Sequence, residues 1–384
     1  MGLEGSISID LQLDGFAVAE VAIASRRPVH ASRVLEGKPA DEALGFLGML
    51  FSVCGTAQSC AGVRACEQAL DHVEAPMVAA RRNLMVQLES LREHLWRLFL
   101  DWPPLQGEEE DGDAMQKMLR LHAALSGMLD PQQDLFRISG SVALVDDGDW
   151  QRLTGQLSAL VQERVFAQSP ESWLELADVQ ELDSWAGRTD TFAARLLRGV
   201  RERRWAAAGR CSVEALPDLD GCALARYFDY QTFVETPLWH GQPRETSAFT
   251  RVNTPLTAAL QADFGNGLLP RLVARLSEMA QLCQELQAFR FREAPQPACL
   301  AHSGMGLGQV EAARGRLIHQ IVLEEQQITR YRILAPTEWN FHPKGVVAQG
   351  LAALTGTEAQ IREQARLLIS AIDPCVAYEL NLHG

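Results

Sequence analysis

Three cysteines carry the sequence's plainest potential for chemistry. Cys54 and Cys60 bound the segment CGTAQSC, and Cys375 closes the tripeptide DPC near the other end of the chain. Cys54-Gly55-Thr56 stands ahead of a helical pattern. A helix start favours a thiolate, because its first N–H groups are unpaired and its dipole is positive there. A thiolate so placed is a nucleophile, or a soft ligand of the kind iron and nickel prefer. CxxxxxC is no established zinc or redox spacing. On spacing alone, the alternative is that these thiols are small buried hydrophobes.

The elements that must position them are read from patterning. Residues 6–13 alternate, with Ile7, Ile9, Leu11 and Leu13 on one face, and Asp14-Gly15 reads as a hairpin turn into a second strand over 17–23. Thr56 is the expected N-cap of a helix over 57–70. Leu84, Leu88, Leu91, Leu95 and Leu98 recur at three- and four-residue steps, so a long amphipathic helix is expected, stopped by Asp101-Trp102-Pro103-Pro104. Residues 106–113 (QGEEEDGD) read as an exposed loop. From about 115 to 290 the pattern is mostly helical, ending in a stripe of Leu272, Leu276, Met279, Cys283 and Leu286. A Gly-rich loop over 304–308 is expected before β-like runs at 316–323 and 328–334, followed by Pro336 to Trp339. GMGLG lacks the Lys-Ser/Thr and the following helix of a phosphate loop. A Thr357…Gln360 capping box opens a last helix to about 370, and Asp373-Pro374 breaks it, leaving Cys375 in an irregular tail.

Composition narrows the class. A formal charge of −14 excludes a nucleic-acid binder that works through a basic surface, and Arg201 to Arg204 reads as a solvated helix face. Hydrophobic residues at 47% with 22% charged suit a globular fold. The first residues, MGLEGSISID, lack the basic and apolar regions of a secretory signal. No stretch approaches the roughly 18 apolar residues of a membrane span. Eight cysteines are too sparse for a disulfide framework in 384 residues, so thiols in a reducing cytoplasm are expected, with no membrane partner. One domain over 1–384 is expected, with a β element at 1–30, a helical bundle at 31–290 and an α+β part at 291–384.

The motifs then converge on one likeness. LEGKPADEALGFLGMLFSVCGTAQSCAGVRACEQAL resembles the stretch of nickel–iron hydrogenase large subunits around R-x-C-G-x-C-x-x-x-H. ISAIDPCVAYELNLHG resembles that family's closing S-x-D-P-C-x-x-C-x-x-H. VEAARG resembles its EAPRG, LAPTEWN its VP-[ST]-x-WN, and LEGSISIDL its RVEGHLRI strand. The resemblance touches roughly half the chain. It implies an α+β, mainly helical, hydrogenase large-subunit-like fold, trimmed, in which the tail returns Cys375 to the Cys54 helix.

The departures are what the resemblance makes informative. In that family the first cysteine of each pair binds nickel and the second bridges nickel and iron. Cys54 and Cys375 match the first positions, whereas Ala57 and Tyr378 occupy the bridging ones. The family's two histidines fall on Ala61 and Asn381, with His383 out of register, its arginine falls on Ser52, and the proline of PRG on Ala313. A bimetallic centre of the known geometry is therefore not expected, nor nickel, nor hydrogen turnover by that mechanism. Arg314 and Thr337, beside Pro336, match the groups that hydrogen-bond the iron's cyanides. Thiolates plus cyanide donors fit a carrier of Fe(CN)2(CO), and the pattern is similar to the HupK/HoxV-type proteins, paralogues understood as assembly scaffolds.

By register the iron ligands would be Cys54 and Cys375, with Cys60, one turn past Ala57, as an alternative to Cys54. Glu4 matches an early family glutamate and is expected either to hydrogen-bond near the pocket or to be plainly structural. His94 and Glu89 resemble residues of a similar family helix, or form a polar interhelical face. Ser32 and Asn381 stand where the family holds magnesium, so none is expected. Cys66, Cys211, Cys222, Cys283 and Cys299 read as packing or exposed residues. Nine residues follow Cys375, so the family's nickel-triggered C-terminal processing is not expected. The expected role is non-catalytic: receiving iron from upstream maturation chaperones and passing it to a hydrogenase large-subunit precursor. The rivals are a divergent metal-dependent redox enzyme and a metal-free structural subunit like the complex I relatives of this fold.

Overall fold

A computed structural model describes residues 5–51, 53–291 and 304–384. Glu4, Ser52 and Cys299 lie outside them. The alternation at the N-terminus forms β1 (Ser6–Asp14) and β2 (Ala17–Ser25), antiparallel with Ile9 opposite Ile23. Gly15 turns between them at φ 59, a conformation glycine adopts without steric cost. Helix α1 (Ala40–Leu50) leads to α2 (Gly55–Ala69), whose N-cap is Cys54 and not Thr56.

Helix α3 (Pro76–Trp96) buries Leu84, Leu88, Leu91 and Leu95 as the stripe requires. It does not stop at Asp101. A π-turn over Arg97–Asp101 and a helical turn over Trp102–Leu105 continue it, because Pro103 and Pro104 occupy an opening turn whose N–H groups need no helical partner. The acidic loop is also shorter than expected. Asp111 accepts the Ala114 N–H at 3.0 Å and starts α4 (Gly112–Leu129). With α5 (Asp147–Val161) and α6 (Leu268–Ala288) these helices form the largest core, in which α6 is buried on nearly every face. Within the helical region, Glu214–Ala215 and Arg244–Glu245 form a short parallel ladder.

The Gly-rich segment expected as a loop is strand β3 (Met305–Ala312). Its glycines serve close packing rather than turning. A Cβ on Gly306 would stand 1.8 Å from the Ala65 carbonyl oxygen, and one on Gly308 1.8 Å from that of Ala61. Helix α2 therefore lies directly on a meander of β3, β4 (Gly315–Glu324) and β5 (Gln327–Leu334). A short helix α7 (Pro336–Asn340) follows, then α8 (Glu358–Ile372), opened by the Thr357–Gln360 capping box. The tail past Cys375 is not irregular. It forms β6 (Ala377–His383), which pairs parallel with β1 and places Tyr378 opposite Ile7. The two ends of the chain thus share one sheet, of order β2-β1-β6. Among the described residues no helix is long and apolar enough to cross a membrane.

Candidate functional site

Cys54 at the start of α2 and Cys375 just ahead of β6 line one cavity of about 60 Å³. Leu50, Phe51, Val53, Ile333, Ala335 and Val376 form its apolar wall, and Arg27, Gln58 and Glu338 its polar part. Each thiol is held by groups from elsewhere in the chain. Buried Glu89 on α3 accepts the backbone N–H of Thr56 at 2.8 Å and of Ala57 at 2.9 Å, capping the helix start that carries Cys54. Thr337 holds Cys375: its Oγ1 accepts the Cys375 N–H at 3.4 Å and lies 3.1 Å from the Cys375 Sγ. Pro336 is buried in the opening turn of α7 and does not line the cavity, so it sets the backbone that presents Thr337.

Two guanidinium groups bear electrostatically on both thiols; Arg27 lines the cavity, whereas Arg314, like Thr337, stands outside its lining. Arg314 sits in the two-residue turn between β3 and β4, where it donates to Glu93 at 3.1 Å and faces Asp373 at 3.3 Å. Its Nη1 is buried without a hydrogen-bond partner among the described residues. Burial opposes its charge, but Asp373, Glu93 and the two thiols outweigh burial and raise its pKa. Asp373 adopts a left-handed backbone (φ 67) at the end of α8 and also meets Arg97 at 2.9 Å. Burial would raise its carboxyl, yet Arg314, Arg97 and Arg275 hold it down at about 2.

The second cation, Arg27 just past β2, pairs with Glu338. Burial opposes its charge too, and Glu338, Cys375 and Cys54 together outweigh that. Sequence reasoning missed both residues: Arg27 sits in a charged stretch after the hairpin, and only the PTEWN motif hinted at Glu338.

The Cys54 thiol is pushed up to about 12 by burial, then by Cys375 and Glu89, against the Gln58 hydrogen bond and Arg314. A metal cation would reverse that balance, since a coordinating thiol is deprotonated outright. Among the described residues no three His, Cys, Asp or Glu side chains cluster as a metal site; what lines this cavity is two sulfurs beside a largely apolar wall.

Cys60 does not join this cavity. Six residues past Cys54 is about 240° round the helix, on the opposite side from Gln58 at about 40°. Cys60 is buried in the apolar cluster under α2, and burial pushes its thiol up to about 11. Of the bridging positions, Ala57 is buried in that cluster. Tyr378 lines a separate groove of about 620 Å³ on the far side of Cys375, with Arg97 and Asp101. Ser32 donates to the Tyr331 carbonyl at 2.8 Å, and Asn381 donates to Asp10 at 3.1 Å, so the two residues expected in place of magnesium ligands serve different sheets. His94 is interhelical, 2.8 Å from Glu278 on α6. Cys66 and Cys283 are buried, Cys211 is half-buried and Cys222 exposed.

The sequence profile of the family described as nickel-dependent hydrogenase matches residues 247–379, which takes in Arg314, Thr337 and Cys375 but not Cys54. The chain is 32% identical to the hydrogenase expression/formation protein HoxV of Cupriavidus necator, over 94% of this chain and 92% of that one. It is 30% identical to the hydrogenase expression/formation protein HupK of Rhizobium leguminosarum bv. viciae, over 98% and 96%. Among solved structures, the reduced Ni-Fe-Se hydrogenase of D. vulgaris Hildenborough aligns over 94% of both chains with a TM-score of 0.63 and 16% identity. An NAD+-reducing nickel–iron hydrogenase aligns over 94% and 92% with a TM-score of 0.59 and 16% identity. At such identity the likeness concerns the fold alone. On a mainly helical α+β fold like that of a hydrogenase large subunit, and with near full-length kinship to HoxV and HupK, the chain belongs to their family of hydrogenase expression/formation proteins.

Proposed function

We propose that this protein serves hydrogenase maturation as a non-catalytic scaffold, holding an Fe(CN)2(CO) unit between Cys54 and Cys375. In this reading it receives the unit from upstream maturation chaperones and passes it to a hydrogenase large-subunit precursor. The observation that carries the reading is the meeting of two thiols from opposite ends of the chain in one apolar cavity, with Arg27 and Arg314 acting on both. Two thiolates leave most positions of a six-coordinate iron to ligands that arrive with it. Anionic cyanides need donors and positive charge, for which Arg27 stands in the cavity lining, and the unpartnered Nη1 of Arg314 and the Thr337 hydroxyl, outside that lining, are the further donors. Carbon monoxide needs an apolar wall, which Leu50, Phe51 and Ile333 supply. Alanine and tyrosine at the bridging positions remove the sulfur a second metal would require.

Infrared spectroscopy of protein purified anaerobically from a hydrogenase-producing cell tests this. Cyanide and carbonyl stretching bands are expected in the wild type, lost in Cys54→Ala and Cys375→Ala and kept in Cys60→Ala. A wild type without either band overturns the proposal, and nickel at one equivalent would favour the redox enzyme instead.

A further inference from the structure

Behind the cavity, Gln58 is the first of three buried polar side chains in a line. Gln58 Nε2 lies 3.5 Å from the Cys54 Sγ, and Gln58 Oε1 lies 2.7 Å from His319 Nε2 on β4. His319 Nδ1 lies 2.8 Å from the Tyr331 hydroxyl on β5. Gln58 is buried, and His319 and Tyr331 are fully so. Burial holds the His319 imidazole neutral, down at about 3, and among the described residues no carboxylate faces it.

The direction of these bonds follows from donor counting. A neutral imidazole donates from one nitrogen and accepts at the other. The Gln58 Oε1 can only accept, so His319 Nε2 carries the proton, Nδ1 accepts, and the Tyr331 hydroxyl donates. All three bonds then run the same way and end with an amide N–H on the Cys54 sulfur. Turning the Gln58 amide over would reverse every bond and require the other tautomer, with a carbonyl oxygen against the sulfur. A thiolate or metal-bound sulfur accepts only from the first arrangement.

The packing is built to bring the three together. Gly306 and Gly308 let α2 lie on β3 at backbone contact, and Gly308 pairs with His319 across the ladder. A Cβ on Gly62 would stand 2.8 Å from the Tyr331 hydroxyl, so glycine there leaves room for the phenol.

We infer that Tyr331, His319 and Gln58 form a buried relay of positioning residues that keeps an amide N–H donor aimed at the Cys54 sulfur. The inference deepens the scaffold reading, because Cys54 is the ligand that reading assigns, but it is tested on metal-free protein and can fail separately. Nitrogen NMR of 15N-histidine-labelled protein is expected to show His319 as the neutral Nε2–H tautomer, and the Nδ1–H tautomer would overturn the relay's direction. Iodoacetamide labelling at one alkaline pH, read by peptide mass spectrometry, gives the second measurement, with Cys375 as internal reference. Gln58→Leu removes a hydrogen bond to a charged sulfur and should slow Cys54 roughly tenfold, the equivalent of about one pKa unit. His319→Leu leaves the cavity lining intact and should slow Cys54 by about threefold, less than losing the donor outright. His319→Gln restores an N–H donor and should bring the rate back to about the wild-type value. Equal slowing of Cys54 and Cys375, or a wild-type rate in His319→Leu, overturns the relay. Missing infrared bands in a wild type with the expected tautomer and labelling pattern would instead overturn the iron reading alone.

Discussion

Replacing Glu89 tests whether the Cys54 end of α2 is fixed by a carboxylate from α3. The two backbone N–H groups that Glu89 accepts, at 2.8 and 2.9 Å, are among the four at a helix start that have no helical partner. Glu89→Ala leaves both without an acceptor, and an unsatisfied buried donor costs about 1–3 kcal/mol. Relaxation of the first turn recovers part of that, so the expected loss is about 2–4 kcal/mol. Burial raises the Glu89 carboxyl above its ordinary range despite these bonds, so its negative charge is itself unfavourable where it sits. Glu89→Gln keeps the shape and one acceptor oxygen without that charge, but turns an amide NH2 toward the other backbone N–H, and should lose about 1–3 kcal/mol. Urea unfolding followed by circular dichroism measures both losses. Iodoacetamide labelling supplies the local reading: in Glu89→Ala the frayed helix start and the lost negative charge both speed Cys54, while Cys375 keeps its rate. An alanine variant as stable as wild type, or one in which Cys54 labels no faster, would refute the capping argument.

Further outcomes follow from the same packing and charges. His319 is held at about 3 and His122 at about 4 by burial, both below the ordinary histidine value of 6.5. The unfolded chain therefore takes up these protons first, so stability is full above pH 6.5 and falls as pH drops from there toward 4. Burial holds His94 and His342 down as well, so several imidazoles share the slope; each adds up to about 1.4 kcal/mol per pH unit, and His319→Gln should lower the slope by about that amount in urea titrations between pH 6.5 and 4.5. Glu278 adds a later acid loss, because burial is outweighed by Arg251 and His94 and its carboxyl sits at about 2; this contribution is present above pH 4.5 and disappears on the way down to 2. Gly308→Ala forces a Cβ onto the Ala61 carbonyl and should cost about 3 kcal/mol, whereas Gly127→Ala, in the last turn of α4 with nothing among the described residues within 4 Å, should gain about 0.5 kcal/mol; thermal unfolding of the pair checks the contrast. Cys60→Ser places a hydroxyl in an apolar cluster and should lower stability by about 1–3 kcal/mol, seen by the same unfolding assay, without slowing Cys54 labelling.

What was legible in the sequence was local. The β1–β2 hairpin announces itself by alternation around Asp14-Gly15, and α8 by a capping box whose two residues lie three apart. Strand β6 gave no such signal, because its ladder partner β1 lies at the other end of the chain. The glycines of β3 misled for a physical reason: a glycine that admits another backbone looks in sequence like one that turns the chain. Pro103 and Pro104 misled in the same way, since proline ends a helix from within but is tolerated in an opening turn.

The candidate site divides along that line. Cys54, Cys375, Arg314 and Thr337 stand in recognisable motifs, whereas Cys60, which the register offered as an alternative ligand, lies on the buried face of α2 away from the cavity. Glu338 and Gln58 stand in motifs too, but what they hold is not written there: like Glu89, Arg27, His319 and Tyr331, each has a partner supplied by a distant segment. These are also the groups that set how each sulfur is charged, held and hydrogen-bonded. A change at any of them would leave every motif cysteine in place while altering what the sulfur can bind. The identity of the thiols is therefore written locally, whereas their chemistry depends on α2 lying flush on β3 and on the two ends of the chain sharing one sheet.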